Sequence, residues 1–331
     1  MREKPARPGS FVFSLDMELA WGELWNTPPA YSSSRDGSKE REAIRRILDL
    51  MDEFGVAATW AITGHLFYDH CEECTVCPIL ELKGKDPRFD TIWQSNDSMW
   101  YGADIVDAIL ARKAGHEIAF HGYTHRFFDK LTTEEAKFEI QEWLRLANRR
   151  GLPHYSVIFP QGRIAHLDLF REAGFITYRG KDVRHPLLSI PFFGKVVNRF
   201  NLKLSFLTPQ IYEITNDASG LVNIPSSQWM FRTRRAVETL LDSVQLETLR
   251  FRETARAIRA AAATGKVIHL WAHPHEFRTE KDFEKLRYLF SKFAEQAHQG
   301  SLRSITMAEL ANEFLGGNTG VLQAESAADR V

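Results

Sequence analysis

Six residues in three widely separated stretches could do chemistry together: Asp16 and Glu18, His121 and His125, and His273 and His275. Two histidines four positions apart can turn their imidazoles to one side of a single helical turn, so one metal ion could accept both. With a carboxylate, such a pair makes a mononuclear centre that keeps open positions for water and for a substrate carbonyl. The ion lowers the pKa of that water, a second carboxylate takes its proton, and the oxyanion formed on the carbonyl is stabilised. A departing amine must be protonated, and His273 suits the acid's part. The plainer alternative has His121 capping a turn, His125 solvated in a loop, and Asp16 and Glu18 serving as helix caps or salt-bridge partners.

Each stretch follows an apolar run that reads as a buried strand. Phe11-Val12-Phe13-Ser14-Leu15 leads into the acids, Ile118-Ala119-Phe120 into the histidine pair, and Lys266 to Trp271 into His273 and His275. Carboxyl ends of parallel strands are where α/β folds build their sites. Between these runs the pattern alternates. Ser38 caps a helix through Phe54 that Gly55 ends, and Val56 to Ile62 is the next strand. A helix at Ala103 to Lys113 precedes the third strand. Thr132 and Glu135 form a capping box for a helix to about Arg149, and Tyr155 to Phe159 is a strand ending in Pro160-Gln161-Gly162-Arg163. A helix from His166 to Ala173, strands at Phe175 to Tyr178 and Leu221 to Pro225, and helices at Glu247 to Ala263 and Lys281 to His298 continue the series. A strand at Ser304-Ile305 and a helix from Met307 to Phe314 close it. The alternation predicts a parallel sheet, closed into a barrel or doubly wound. Trp21 and Trp25, in a loop with Pro28-Pro29, are placed to wall a sugar-sized cleft or to pack in the ordinary way, and Ser226 to Trp229 line the same end of the strands.

With 331 residues and 44% hydrophobic content the chain can bury one large core or two modest ones, and a net charge of −1 recruits neither nucleic acid nor an anionic membrane. Met1 to Pro8 has no signal-peptide core and no apolar run is long enough to span a bilayer, so a cytoplasmic location is expected. One domain over 11–315 follows a lead at 1–10, with insertions at about 65–101 and 184–219 and a disordered tail at 316–331. Cys71, Cys74 and Cys77 are too close together for a disulfide framework; with His65 and His70 they make either a structural zinc knot or a reduced surface loop. The apolar stretch 187–207, dotted with Lys195, Arg199 and Lys203, makes a peripheral membrane contact or covers one face of the fold.

The stretches Phe13 to Glu18, Ala58 to Gly64, Gly115 to His125, Phe159-Pro160-Gln161-Gly162 and His269 to Pro274, in that order, resemble the polysaccharide deacetylase family, also called the NodB homology domain. The resemblance runs from about Phe11 to Phe314. It implies a distorted (β/α)7 barrel with insertions. It also implies a metal-dependent hydrolase that removes an acetyl group from an N-acetylated sugar in surface polysaccharide or lipid-linked glycan synthesis. Zinc is the expected ion, with cobalt, nickel, manganese or magnesium as alternatives. Residue by residue, His121 and His125 match the metal-binding histidines, Asp16 the base, and His273 the acid. Met17 stands where the family has its third ligand, so Glu18 is the substitute, unless Asp16 itself binds the ion. The arginine of the family's third motif is absent from Ile158 and Phe159; Arg163 or Arg179 replaces it. Trp21, Phe159, Pro160, Arg163, Trp229 and His275 are the expected substrate contacts. Hydrolysis of another amide or a cyclic imide at the same metal, or a lapsed domain that only binds glycans, are the alternative functions.

Overall fold

The computed structural model describes residues 7–25, 34, 36–70, 97–190, 207–215, 217–231 and 247–318. β1 (Gly9–Met17) is its middle strand, and all nine of its residues are buried. Alternate residues of a strand face opposite ways. Phe11, Phe13, Leu15 and Met17 accordingly join the core beneath the helices, and Val12 joins a smaller core inside the curve of the sheet. Ser14 and Asp16 share the parity of Val12, so β1 carries two polar groups inward at its carboxyl half. In β8 (Val267–Ala272), Ile268, Leu270 and Ala272 go to the outer core while Val267 goes to the inner one, which sends His269 and Trp271 inward as well.

β1 pairs with β8 on one side and on the other with β2 (Thr59–Ile62), while β9 (Leu302–Ser304) runs along its first residues. Beyond β2 come β3 (Glu117–Phe120), β4 (Ser156–Val157), β5 (Thr177–Tyr178) and β6 (Val222–Asn223), and beyond β8 lies β7 (Gln228–Trp229). Every ladder between these strands is parallel. The edge strands β6 and β7 are joined by residues 224–227 alone, so the sheet has to curl until its edges approach one another. This is the distorted (β/α)7 barrel that the resemblance implies.

Helices follow most strands: α1 (Trp21–Leu24), α2 (Ser38–Phe54), α3 (Ala103–Leu110), α4 (Thr133–Arg149), α5 (Leu167–Glu172), α6 (Glu247–Thr264), α7 (Glu280–Ala297) and α8 (Met307–Asn318). The capping box of Thr132 and Glu135 is present. Ser38, however, does not cap α2. Gly37 takes that place with a φ of 68°, and the Ser38 hydroxyl donates to Asp36. β2, β4, β5 and β6 are shorter than their apolar runs, because a strand ends where its ladder partner ends, whereas β1 extends beyond its run at both ends. Cys71, Cys74 and Cys77, most of the stretch 187–207, and the tail beyond 318 lie outside the described residues, and α8 takes in Gly316 and Gly317.

α8 closes the inner core from below with Met307, Leu310 and Ala311. Its free N–H groups find inward-facing partners: Met307 N donates to Thr59 Oγ1 at 2.9 Å and Ala308 N to Glu117 Oε2 at 3.0 Å. Burial pushes the Glu117 carboxyl up to about 6 despite the hydrogen bonds it accepts. A carboxyl raised above its unfolded value of about 4.3 takes up a proton on folding. Its contribution is therefore complete below that value and is lost as pH rises through the folded one, by on the order of 2 kcal/mol. Glu117→Gln keeps an acceptor for α8 and removes this loss. Between pH 4.5 and 7.5, urea melts should show wild type losing more stability than the variant. Equal changes would count against the raised carboxyl.

Candidate metal centre

Glu18 stands just past the end of β1, and its Oε2 lies 2.7 Å from His125 Nε2 and 3.4 Å from His121 Nε2. One donor atom from each of the three residues lies within 4.8 Å of the others, and all three are buried. His121 Nδ1 is 2.8 Å from the Ile158 carbonyl oxygen, which fixes the ring proton there and leaves the Nε2 lone pair free. Neither ring nitrogen of His125 makes a hydrogen bond among the described residues, since its close approach to Glu18 is out of line for one. An orphaned buried imidazole is costly without a cation. Burial lowers the pKa of His125, against the pull of Glu18, and so favours the neutral, ligating form. Burial would raise Glu18, but His125 and His273 hold it well below the carboxylate range. The chemistry of this donor set fits a divalent ion.

The histidine pair does not sit on a helical turn. It occupies a loop in which Gly122 has a φ of 77° and His125 one of 61°. Leu19, directly after Glu18, is also left-handed at 45°. Backbone of this kind is held at a cost by its surroundings and concentrates at functional sites. Glu18 also needs the glycine at position 22, where a Cβ would stand 2.0 Å from its Oε1. Gly22→Ala should displace the carboxylate and weaken zinc binding by roughly 10–100-fold, with the melting temperature of the metal-free chain nearly unchanged. Equilibrium dialysis measures the first quantity and a thermal melt the second; unchanged affinity would take Glu18 out of the ligand set.

Asp16 is held by Arg179, just past β5, in two parallel hydrogen bonds of 2.6 Å each. Both side chains are buried, and Arg179 also donates to Ser14 Oγ at 3.1 Å. Burial works to raise Asp16, yet Arg179, His121 and His273 leave it below its ordinary value. His273 Nε2 faces both acids, 4.0 Å from Asp16 Oδ2 and 3.8 Å from Glu18 Oε1. Behind it Glu276 Oε2 is 3.3 Å from Nδ1 and accepts the His273 backbone N–H at 2.7 Å. Burial opposes charge on this imidazole, but Glu276, Glu18 and Asp16 push it up to about 10. The neighbouring His275 stacks on it at 4.9 Å and is pushed down to about 4 by burial, so of the two only His273 carries a proton at neutral pH.

The structure thus brings Asp16, Glu18, His121, His125 and His273 together, with His275 and Trp229 beside them. Trp229 stacks on Trp271 at 5.4 Å and donates to Glu276 at 3.1 Å. Four expected contacts lie elsewhere. Trp21 is fully buried, with its N–H on the Trp100 carbonyl and its ring against His65. Phe159 packs into the core against Phe128 and Phe170, and Pro160 is buried after it; only the backbone of this turn, through Ile158, serves the site. Arg163 pairs with Asp129 at 3.2 Å and covers Phe127. Arg179 takes the place beside Asp16. Sequence reasoning passed over Glu276, although a carboxylate three residues after His273 was a usable sign. It also passed over Glu139, a charged residue in the apolar stripe of α4.

Residues 35–164 match the family model described as Polysaccharide deacetylase. No curated protein matches the chain by sequence. The fold is similar to that of a Mycobacterium smegmatis protein described as a polysaccharide deacetylase, with 18% identity, a TM-score of 0.56 and 96% of each chain covered. It is also similar to that of the Puue allantoinase, with 15% identity, a TM-score of 0.52, and 94% of this chain and 93% of that one covered. The family match thus spans β2 to β4 and the His121–His125 loop, and the fold around it is similar end to end to that of the Mycobacterium smegmatis protein.

Proposed function

We propose that the chain is a metal-dependent hydrolase that removes the acetyl group from an N-acetylated sugar unit. The observation that carries this reading is the convergence of Glu18, His121 and His125 on one point, faced by a protonated His273. A divalent ion held by these three residues would act as a Lewis acid toward the amide carbonyl and its attacking water. Asp16 takes the proton from that water. It can do so because Arg179 fixes its orientation and keeps it ionised. His273 donates its proton to the sugar nitrogen as the carbon–nitrogen bond breaks, leaving acetate and a free amine. Glu276 holds the imidazole from behind, with its Nδ1 directed away from the substrate. Trp229 and His275 lie against the acid, their rings 6.2 and 4.9 Å from its imidazole, and are the flat side chains there that a sugar ring could use.

The proposed setting is cytoplasmic synthesis of a surface polysaccharide or lipid-linked glycan. Leu187 and Ile190, 39% and 44% exposed at the start of the apolar stretch 187–207, support a lipid-bearing substrate. No described helix is long and apolar enough to cross a membrane. Cyclic imide or amide hydrolysis is the second reading, supported by the likeness to an allantoinase and by an Asp16 partner drawn from β5. Acetate release from N-acetylated sugars, abolished by chelation and restored by zinc, is expected, with no turnover of hydantoin or allantoin. Ring opening of those compounds without acetate release would transfer the proposal to the second reading.

A further inference from the structure

We infer that Glu139, on α4, is the positioning residue that shapes the His121–His125 loop for a divalent ion. The inference rests on the metal site proposed above. To point both imidazoles at Glu18 the loop must pass through left-handed backbone at Gly122 and at His125, and for a residue with a side chain that conformation costs about 1–2 kcal/mol. Something must over-determine it. Between the two histidines, the Tyr123 and Thr124 N–H groups both donate to Glu139 Oε2, at 2.7 and 2.9 Å, and the Thr124 hydroxyl donates to Oε1. Successive N–H groups closing on one anionic oxygen form a concave cradle that defines the backbone around it.

Glu139 gains nothing as part of its helix. It is 1% exposed on a face whose other buried members include Ala136, Ile140 and Trp143. A carboxylate buried there is costly unless its hydrogen bonds repay the desolvation, and among the described residues both oxygens accept theirs from the histidine loop. The loop also leaves no room for adjustment at its glycine: a Cβ on Gly122 would meet His125 N at 3.2 Å and Glu139 Oε2 at 3.4 Å. Glu139 therefore acts through the shape of the loop and touches no reacting atom.

The test is zinc titration calorimetry on the full chain, with the visible absorption spectrum of bound cobalt as a report on ligand geometry. Glu139→Ala should bind zinc roughly 10–100-fold more weakly and alter the cobalt spectrum, as loss of an outer-shell partner does. Glu139→Gln keeps an oxygen for the two N–H groups and should restore both. Ile140→Val, a core trim on the same helix, should lower the melting temperature with no change in zinc affinity or spectrum. If Glu139→Ala does not fold, Thr124→Val is read in its place, with weaker zinc binding expected. A wild-type chain that takes up neither metal ends the metal reading and this inference with it. Wild-type binding matched in affinity and spectrum by Glu139→Ala, or by Thr124→Val in its stead, overturns this inference alone.

Discussion

Asp16→Asn is expected to keep zinc while lowering kcat by roughly 10²–10⁴, the usual worth of a general base. Glu18→Ala is expected to lose the ion and, with it, all measurable turnover. The two carboxylates are one residue apart, but β1 and the left-handed Leu19 give them different company. Asp16 has both oxygens on Arg179 and faces His273 at 4.0 Å, whereas Glu18 has one oxygen against both histidines of the pair. An arginine holding both oxygens leaves Asp16 little freedom to ligate a cation, while among the described residues no cationic Lys or Arg restrains Glu18 Oε2. Metal content after gel filtration and acetate release, measured on the same samples, decide the matter. Zinc lost from Asp16→Asn and kept by Glu18→Ala would exchange the two roles.

Arg179→Met should cost about 3–5 kcal/mol, because it strands a buried charge on Asp16. It should also lower kcat by at least as much as the loss of the base. Arg163→Ala, by contrast, breaks a pair whose side chains are 34% and 43% exposed, and should cost about 0–1 kcal/mol with activity close to wild type. Arg179→Lys should not rescue, since one ammonium cannot match the two parallel bonds that a guanidinium makes. The stability loss should shrink in the double variant with Asp16→Asn, where no charge is left stranded. Urea unfolding gives the energies. Arg163→Ala falling as far as Arg179→Met would contradict the pairing seen here.

Much of the architecture was legible because it rests on local chemistry. Thr132 and Glu135 announced α4, Gly55 ended α2, and apolar runs before Asp16, His121 and His273 marked strands whose ends meet. What escaped depends on neighbours remote in sequence. Trp21 and Phe159 are aromatic residues next to the site in sequence, but whether such a ring walls a cleft or fills a core is decided by the helices packed on it. Replacement of the family's arginine by Arg179 required knowing that β5 curls back far enough for its end to reach Asp16, and no spacing rule carries that. The left-handed turn at His125 likewise follows from the carboxylate of a helix that comes after it in the chain.

β1 is made first but receives β8 and β9 only when residues 267–304 have been made. Until then one whole side of a nine-residue strand, rich in phenylalanine, has no ladder partner. Emergence from the ribosome therefore cannot be matched by stepwise folding. The growing chain must be kept from pairing that open flank with another copy of itself, and the barrel becomes whole only once β8 and β9 have joined β1.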